Sequence, residues 1–332
     1  MSNNIGVILD PHSFQNQEYV TLKAERNGFD SVWVTELYRS SFEQLTFLAT
    51  ISKTIKLGSA VTLAFTRSPL ILAISALDID ELSNGRLILG IGSGAINSNR
   101  HWHNQPNFDE PANRIESLYS VFRGIEKSIR LKEDFIYNDK YYNFAIKSFK
   151  RPFDTFRSEI PLYLGGIGPK MKELSSRLYD GFIGHVVCSP GFLKDYVVPV
   201  FKKNNSQSKR TSIVLCSINN DRKKAIDDAK GTIAFYSTVK AYLKPFIDLG
   251  YEEEVSRIRK AFFENDYKKM LSLVPDKMVN DFAICGNREE AKEQIKRYKD
   301  LLTFPILTVP HYYLDPLTVR AYQDEMLDTF KL

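Results

Sequence analysis

The chain has 332 residues, with 45 Lys plus Arg against 40 Asp plus Glu, 43% hydrophobic residues, 17 Gly and 14 Pro. That length allows two domains or one large α/β barrel with insertions, and the composition excludes both a disordered and a collagenous chain. No apolar run approaches the roughly 18 residues of a membrane span, and the start, MSNNIGVILD, lacks the basic segment and cleavage site of a signal peptide.

Three cysteines, Cys188, Cys216 and Cys285, form no CxxC pair. They read as buried thiols in a reducing compartment, so the expected location is cytoplasmic. The net charge of +5 is modest. Its basic clusters, such as Arg222-Lys223-Lys224, accompany no nucleic-acid motif, so neither a nucleic-acid nor a membrane partner is expected.

Short apolar runs alternate with helical patterns from the start. Ile5–Leu9 reads as a strand and Gln17–Asn27 as a helix stopped at Gly28; Ser31–Val34 is the second strand and Phe42–Ile51 the second helix. Ile55–Leu63 is the third strand. Its helix opens at Ser68-Pro69, a cap followed by proline at the first helical position, and closes at Asn84-Gly85. Leu87–Ile91 and Ala112–Ile129 form the fourth unit. Pro161–Leu164, Gly181–Val187, Ser212–Ile218 and Ile306–Val309 read as the remaining main strands. Helices follow at Pro169–Tyr179, from Asp221, at Arg288–Leu301 and at Pro316–Phe330, and Phe282–Cys285 is a short extra strand. Eight strand-then-helix units of short, continuously apolar runs describe a parallel sheet covered by helices, and in this length they favour a closed (β/α)8 TIM barrel. Two stretches break the rhythm: about 130–159, with a hairpin FIYNDKYYNF turning at Asn138-Asp139, and about 231–277. Both are read as insertions near the C-terminal rim of a single domain spanning 1–332.

In such a barrel, functional groups collect where the strands end. All five histidines map there: His12 after the first strand, His101 and His103 after the fourth, His185 late in the sixth and His311 after the eighth. No HExxH pattern is present, and His101-x-His103 reads as an ordinary loop rather than half a metal site, so no metal is expected. Asp10 and Glu36 form the one obvious carboxylate pair, which a glycosidase would need. No GxSxG elbow is present. Gly90-Ile-Gly92-Ser-Gly94-Ala95 matches GxGxxA, but the following INSNRHWHNQPN reads as loop, so a dinucleotide fingerprint is rejected. Gly165-Gly166-Ile167-Gly168-Pro169 leads into a helix, and free N–H groups at such a helix start suit a phosphate. Glycines that merely turn the chain are the alternative.

GFDSVWVTE (Gly28–Glu36), KLGSAVT (Lys56–Thr62), TRSP (Thr66–Pro69), LDIDELSNGRLILGIGSG (Leu77–Gly94) and IPLYLGGIGPKM (Ile160–Met171) together resemble the bacterial-luciferase-like superfamily. Within it they are most similar to the coenzyme F420-dependent branch, of the methylenetetrahydromethanopterin reductase kind. The resemblance fades in the two insertions. It implies a (β/α)8 barrel, a non-prolyl cis peptide matching Ala60–Val61 behind the flavin or deazaflavin ring, and cofactor contacts at Thr62, Ser93, Gly94 and Asn97. It also implies a phosphate loop at Gly165, Gly166, Ile167 and Gly168, and an acidic residue at Glu36. Two departures stand out. Many members follow that acid with a catalytic histidine, where this chain has Leu37 and Tyr38, and sugar-phosphate dehydrogenase relatives place a glutamate where this chain has Ala95.

The departures favour hydride transfer, in which the cofactor carries the difficult step. The expected activity is oxidation or reduction of a small organic substrate with coenzyme F420, with Glu36, His12 and His103 as candidate catalytic groups. The alternatives are an FMN-dependent monooxygenase on the same fold and a non-catalytic flavin-binding protein. The resemblance implies a homodimer through helices two and three, for which an apolar patch at Phe42, Leu45 and Leu48 is either interface or core.

Overall fold

The computed structural model describes residues 3–105 and 108–332. Eight strands form the barrel: β1 (Asn3–Ile8), β2 (Phe29–Val34), β3 (Lys56–Ser59), β4 (Leu87–Gly92), β5 (Leu162–Gly165), β6 (Gly181–Gly184), β7 (Lys209–Ile218) and β8 (Phe304–Thr308). Each pairs in parallel with its neighbour, and β8 returns to β1 with Gly6 opposite Ile306 and Val7 opposite Leu307. The ring is closed, as the eight runs led us to expect. The extra strand, Ala283–Gly286, pairs with the outer part of β7.

Closure follows from which residues can fill the centre. Trp33 lies inside the barrel, fully buried, among Ala60, Ile88, Tyr163, Ile183, Phe304 and Ile306. Its Nε1 donates to Ser31 Oγ at 2.8 Å, which satisfies the one polar atom of the ring. The indole fits because its neighbours lack side chains: a Cβ on Gly58 would lie 2.2 Å from the ring, and one on Gly6 2.7 Å from Nε1. Outside the ring, a larger core joins the other faces of the strands to the helices, with Val7, Val32, Leu57, Leu89, Leu162 and Phe182 at its centre. Phe42, Leu45 and Leu48 belong to this core, so the patch they form is core and not an exposed face.

Helix boundaries follow their caps. Helix Phe14–Arg26 starts earlier than the apolar pattern predicts because Ser13 Oγ accepts the Asn16 N–H at 3.0 Å. Ser68 caps Pro69–Leu82 as expected, through the Ile71 N–H. The predicted third strand is interrupted: Lys56–Ser59 is followed by a cis Ala60–Val61 peptide, and Thr62–Leu63 then pairs with β4. The stretch expected as loop after β4 contains a short helix, Ile96–His101. Asn99 explains it, since its side-chain amide donates to the carbonyls of Ser93 and Ala95 and closes the first turn.

The two insertions reach the rim differently. Residues 130–159 leave helix Pro111–Leu131 and rejoin at β5, at the end opposite the strand C-termini. The antiparallel hairpin Phe135–Asn138 and Asn143–Ile146 carries only its turn up to the rim, where Lys140 and Tyr141 bond Glu110. Its return is fixed at the far end by Arg157 on Asp80 and Arg151 on Asp78. The second insertion begins within helix Arg222–Thr238, which runs on past residue 231, and adds short helices over a separate core of Phe246, Ile258, Met270 and Phe282. Among the described residues, no helix is long and apolar enough to cross a membrane.

Candidate active site

Glu36 follows β2, and its carboxylate is fully engaged. Arg67 approaches as a fork, Nη2 to Oε1 at 2.5 Å and Nη1 to Oε2 at 3.0 Å. The backbone N–H of Leu63 donates to Oε2 at 2.7 Å and that of Ser41 to Oε1 at 3.1 Å. Burial pushes the carboxyl up, but the Arg67 hydrogen bonds, the Leu63 N–H and the Arg67 charge outweigh it and hold Glu36 below the usual carboxylate range. Glu36 therefore stays ionised and clamps the segment after Ala60–Val61 to the loop after β2. Ser41 Oγ extends the clamp to Thr62 Oγ1 at 2.8 Å. In the sequence Arg67 stands out only within the TRSP run (Thr66–Pro69) that carries the resemblance, and nothing local ties it to Glu36.

Candidates from three strands meet at Val61. A Cβ on Gly92 or on Gly165 would each lie 2.5 Å from its side chain, so these two glycines exist to seat Val61. Gly94 takes φ +68°, a conformation that favours glycine. Ser93 is half-buried, whereas Asn97 stands exposed on the short helix. Gly168 differs from Gly165: a Cβ there would meet no atom within 4 Å. Helix Pro169–Arg177 begins beside it with proline at its first position, no side-chain cap and no acidic residue in its first turn. An open helix start with unpaired N–H groups is the chemistry that holds an anion.

Asp10 and His12 form a second cluster after β1. His12 Nδ1 lies 2.5 Å from Asp10 Oδ1, which also accepts the His12 backbone N–H at 2.8 Å. Asp10 is buried and His12 exposed. His311, after β8, is close enough to feel both; burial pushes its imidazole down, which the Val309 carbonyl and the Asp10 charge oppose. Asp10 and Glu36 thus each hold a partner of their own and do not stand as the free facing pair a glycosidase needs. His101, exposed, is the last residue of the short helix, and His103, half-buried, follows it.

His185 sits directly after β6 in an aromatic setting. Its ring stacks on Tyr242 at 4.2 Å and meets Tyr236 edge-on at 4.5 Å. Tyr236 in turn contacts Tyr312, which stacks on Phe235. Burial pushes the imidazole down to about 3, so it is neutral at any working pH. Tyr236 and Tyr242 come from the start of the second insertion and Tyr312 from the loop after β8, a convergence that sequence spacing does not display. A pocket of about 310 Å³ opens elsewhere on the rim, lined by Phe65, Arg67, Gln105, Arg114 and Tyr142. A cavity of about 990 Å³ lies at the opposite end of the barrel, among Tyr163, Asp180, Asn204 and Lys209.

The model of the luciferase-like monooxygenase family matches residues 3–303. The chain belongs to this family. Among curated luciferase-like relatives, 5,10-methylenetetrahydromethanopterin reductase of Archaeoglobus fulgidus is 29% identical over 320 residues, covering 89% of each chain. Among solved structures, the coenzyme F420 dependent tetrahydromethanopterin reductase of Methanopyrus kandleri superposes with a TM-score of 0.81, covering all of both chains at 22% identity. The oxygenating constituent of 3,6-diketocamphane monooxygenase from Pseudomonas putida, in complex with FMN, does so with a TM-score of 0.69 at 15% identity, covering 100% of this chain and 98% of that one. These structures establish the closed barrel fold for the chain. The expected fold and superfamily are both found.

Proposed function

We propose that this luciferase-like oxidoreductase transfers a hydride between coenzyme F420 and a small organic substrate. The observation that carries the reading is the open, uncapped helix start at Gly168–Pro169. It suits the phosphate of a deazaflavin cofactor, and it stands on the same rim as the Val61 wedge, against which the ring would lie. The curated reductase relative and the F420 dependent structure support that choice of cofactor. When bound, the deazaflavin supplies the hydride chemistry. The chain supplies position: Gly165, Gly166, Ile167 and Gly168 at the phosphate, Ala60, Val61 and Thr62 behind the ring, and Ser93, Gly94 and Asn97 along its flank.

Glu36 acts here as a positioning residue. A carboxylate that already accepts from Arg67 and two backbone N–H groups is a poor proton donor, so it shapes the wall while the exposed His12 faces incoming substrate. His103 borders the cofactor's flank. This division asks for little acid–base power, as hydride transfer requires.

Mixing the purified protein with F420 or with FMN and following fluorescence tests the reading. Quenching of F420 with no response from FMN is expected; tight FMN binding with no F420 binding overturns it. We also expect a cytoplasmic homodimer built on helices Ser41–Ile51 and Pro69–Leu82, whose outer side exposes Ile71 and Leu82. Sedimentation equilibrium returning a monomer would remove the dimer, and recovery of the native protein outside the cytoplasm would remove the location.

A further inference from the structure

His185 is the one rim histidine whose surroundings have no explanation within the fold. Its Nδ1 is sealed from solvent and has no hydrogen-bond partner among the described residues. A buried polar atom without a partner is rare and costly, and such atoms concentrate where a ligand or a mechanism requires them. The backbone carbonyl is satisfied: it accepts the Cys188 N–H at 2.8 Å and the Ser212 hydroxyl at 3.3 Å. The ring alone is left over.

The ring's tautomer follows from this environment. A neutral imidazole carries one proton. Placed on Nδ1, it would be an enclosed N–H with nothing to donate to, which is the more costly kind of orphan. The proton therefore sits on Nε2. No hydrogen bond reaches Nε2 from the described residues, and Nε2 is not among the sealed atoms, so this N–H is the accessible polar atom of a ring that stands at the C-terminal end of β6. Tyr242 covers one ring face and Tyr236 meets it edge-on, which fixes the direction of the donor.

We propose that His185 is a substrate-binding residue, whose Nε2–H donates to an acceptor atom on a flat, uncharged ring seated among Tyr236, Tyr242 and Tyr312. The choice of substrate over cofactor rests on the functional reading above, which gives the β3–β5 half of the mouth to the deazaflavin and leaves the β6–β8 half free. The ring must be flat because the walls are aromatic and favour offset or edge-on partners. It must be uncharged because the walls offer no ion to pair. Burial alone sets the state of His185, and burial also holds the Tyr236 and Tyr312 hydroxyls protonated. A charge brought here would lose its water without compensation. The acceptor is a carbonyl oxygen or an imine-type ring nitrogen, the complement of a lone N–H.

Two matched probes test this on the full chain, with and without saturating F420. Quinoxaline has acceptor nitrogens at its edge, and naphthalene has the same outline with none. Quinoxaline is expected to bind the wild type and to move the His185 Nε2 signal in ¹H–¹⁵N spectra of histidine-labelled protein. Its affinity should fall about fivefold to tenfold in His185→Phe, the scale of one hydrogen bond. His185→Asn restores a donor and should recover part of the loss, and naphthalene should bind all three proteins alike. Equal quinoxaline affinity in wild type and His185→Phe overturns the proposal. So does a proton found on Nδ1, or a ring that titrates between pH 5 and 8. The spectra decide on the wild type alone if a variant does not fold. F420 quenching is read separately in the same samples. Its failure would strike the cofactor assignment, whereas the probe comparison on the cofactor-free chain reports on His185 regardless.

Discussion

The two halves of the barrel mouth are built on opposite plans. On the β2–β5 side the wall beside the cis peptide is tied down: Glu36 accepts from Arg67, Leu63 and Ser41, and Val61 fills the space that Gly92 and Gly165 leave for it, while the helix start at Gly168 stands open. On the β6–β8 side the groups are aromatic and neutral, and Nδ1 of the His185 imidazole has no hydrogen-bond partner among the described residues. Saturated hydrogen bonding makes a wall whose shape does not depend on what binds. Unsatisfied groups make a surface whose bonding is completed by what binds. A cofactor held in one orientation fits the first plan, and a substrate that must be recognised fits the second.

The difference can be broken most forcefully at Arg67. Arg67→Met would leave the Glu36 carboxylate buried without its cation, and denaturant unfolding should show a loss of about 3 kcal/mol, the lower end for a broken buried pair because Arg67 is partly exposed. The pH dependence should change with it. Glu36 titrates below its ordinary value in the fold, so its stabilisation is complete above the unfolded value of about 4.3 and is lost as pH falls through the lower, folded one. Wild type should thus lose stability on acidification more steeply than Arg67→Met. Parallel curves would mean the clamp is not electrostatic.

Glycine substitutions give the next largest effect. Gly165→Ala should cost about 2 kcal/mol, because the new Cβ would meet Val61 at 2.5 Å. On the other side of the mouth, Tyr242→Ala should cost about 1 kcal/mol for the lost ring contact. It should also let the His185 imidazole titrate at higher pH by admitting water to one face, readable by NMR. The smallest effect on folding is expected at Gly168. Gly168→Ala should change stability by less than about 1 kcal/mol, since the Cβ enters open space, yet weaken F420 quenching. If Gly165→Ala and Gly168→Ala behave alike in both measurements, the distinction between a packing glycine and a ligand-facing one fails.

The barrel was legible because its strands are short, continuously apolar runs, and such runs survive translation into a buried parallel ring. Leu87–Gly92 and Leu162–Gly165 needed no knowledge of their partners. The break after Ser59 was not visible in periodicity, since Ala60, Val61 and Leu63 continue the apolar run begun by Ile55 and Leu57, and it came only through resemblance. The short helix Ile96–His101 escaped because its start is secured by Asn99, a residue that ordinarily reads as loop. Within the site, Glu36 and the glycines were readable, but their meaning was not: the partner of Glu36 lies thirty-one residues away in Arg67, and Gly165 and Gly168 look identical in sequence. The aromatic surroundings of His185 were the least legible, because Tyr236, Tyr242 and Tyr312 meet only when β7 lies beside β6 and β8 beside β7.

A crystal structure of the protein grown with F420 tests the central claim most directly. It should show the deazaflavin ring against Ala60–Val61, its phosphate over Gly165 to Gly168, and the space between the ring and His185 left open for substrate. A phosphate bound elsewhere on the rim, or a ring stacked among Tyr236, Tyr242 and Tyr312, would contradict the division of the mouth into a cofactor wall and a substrate surface.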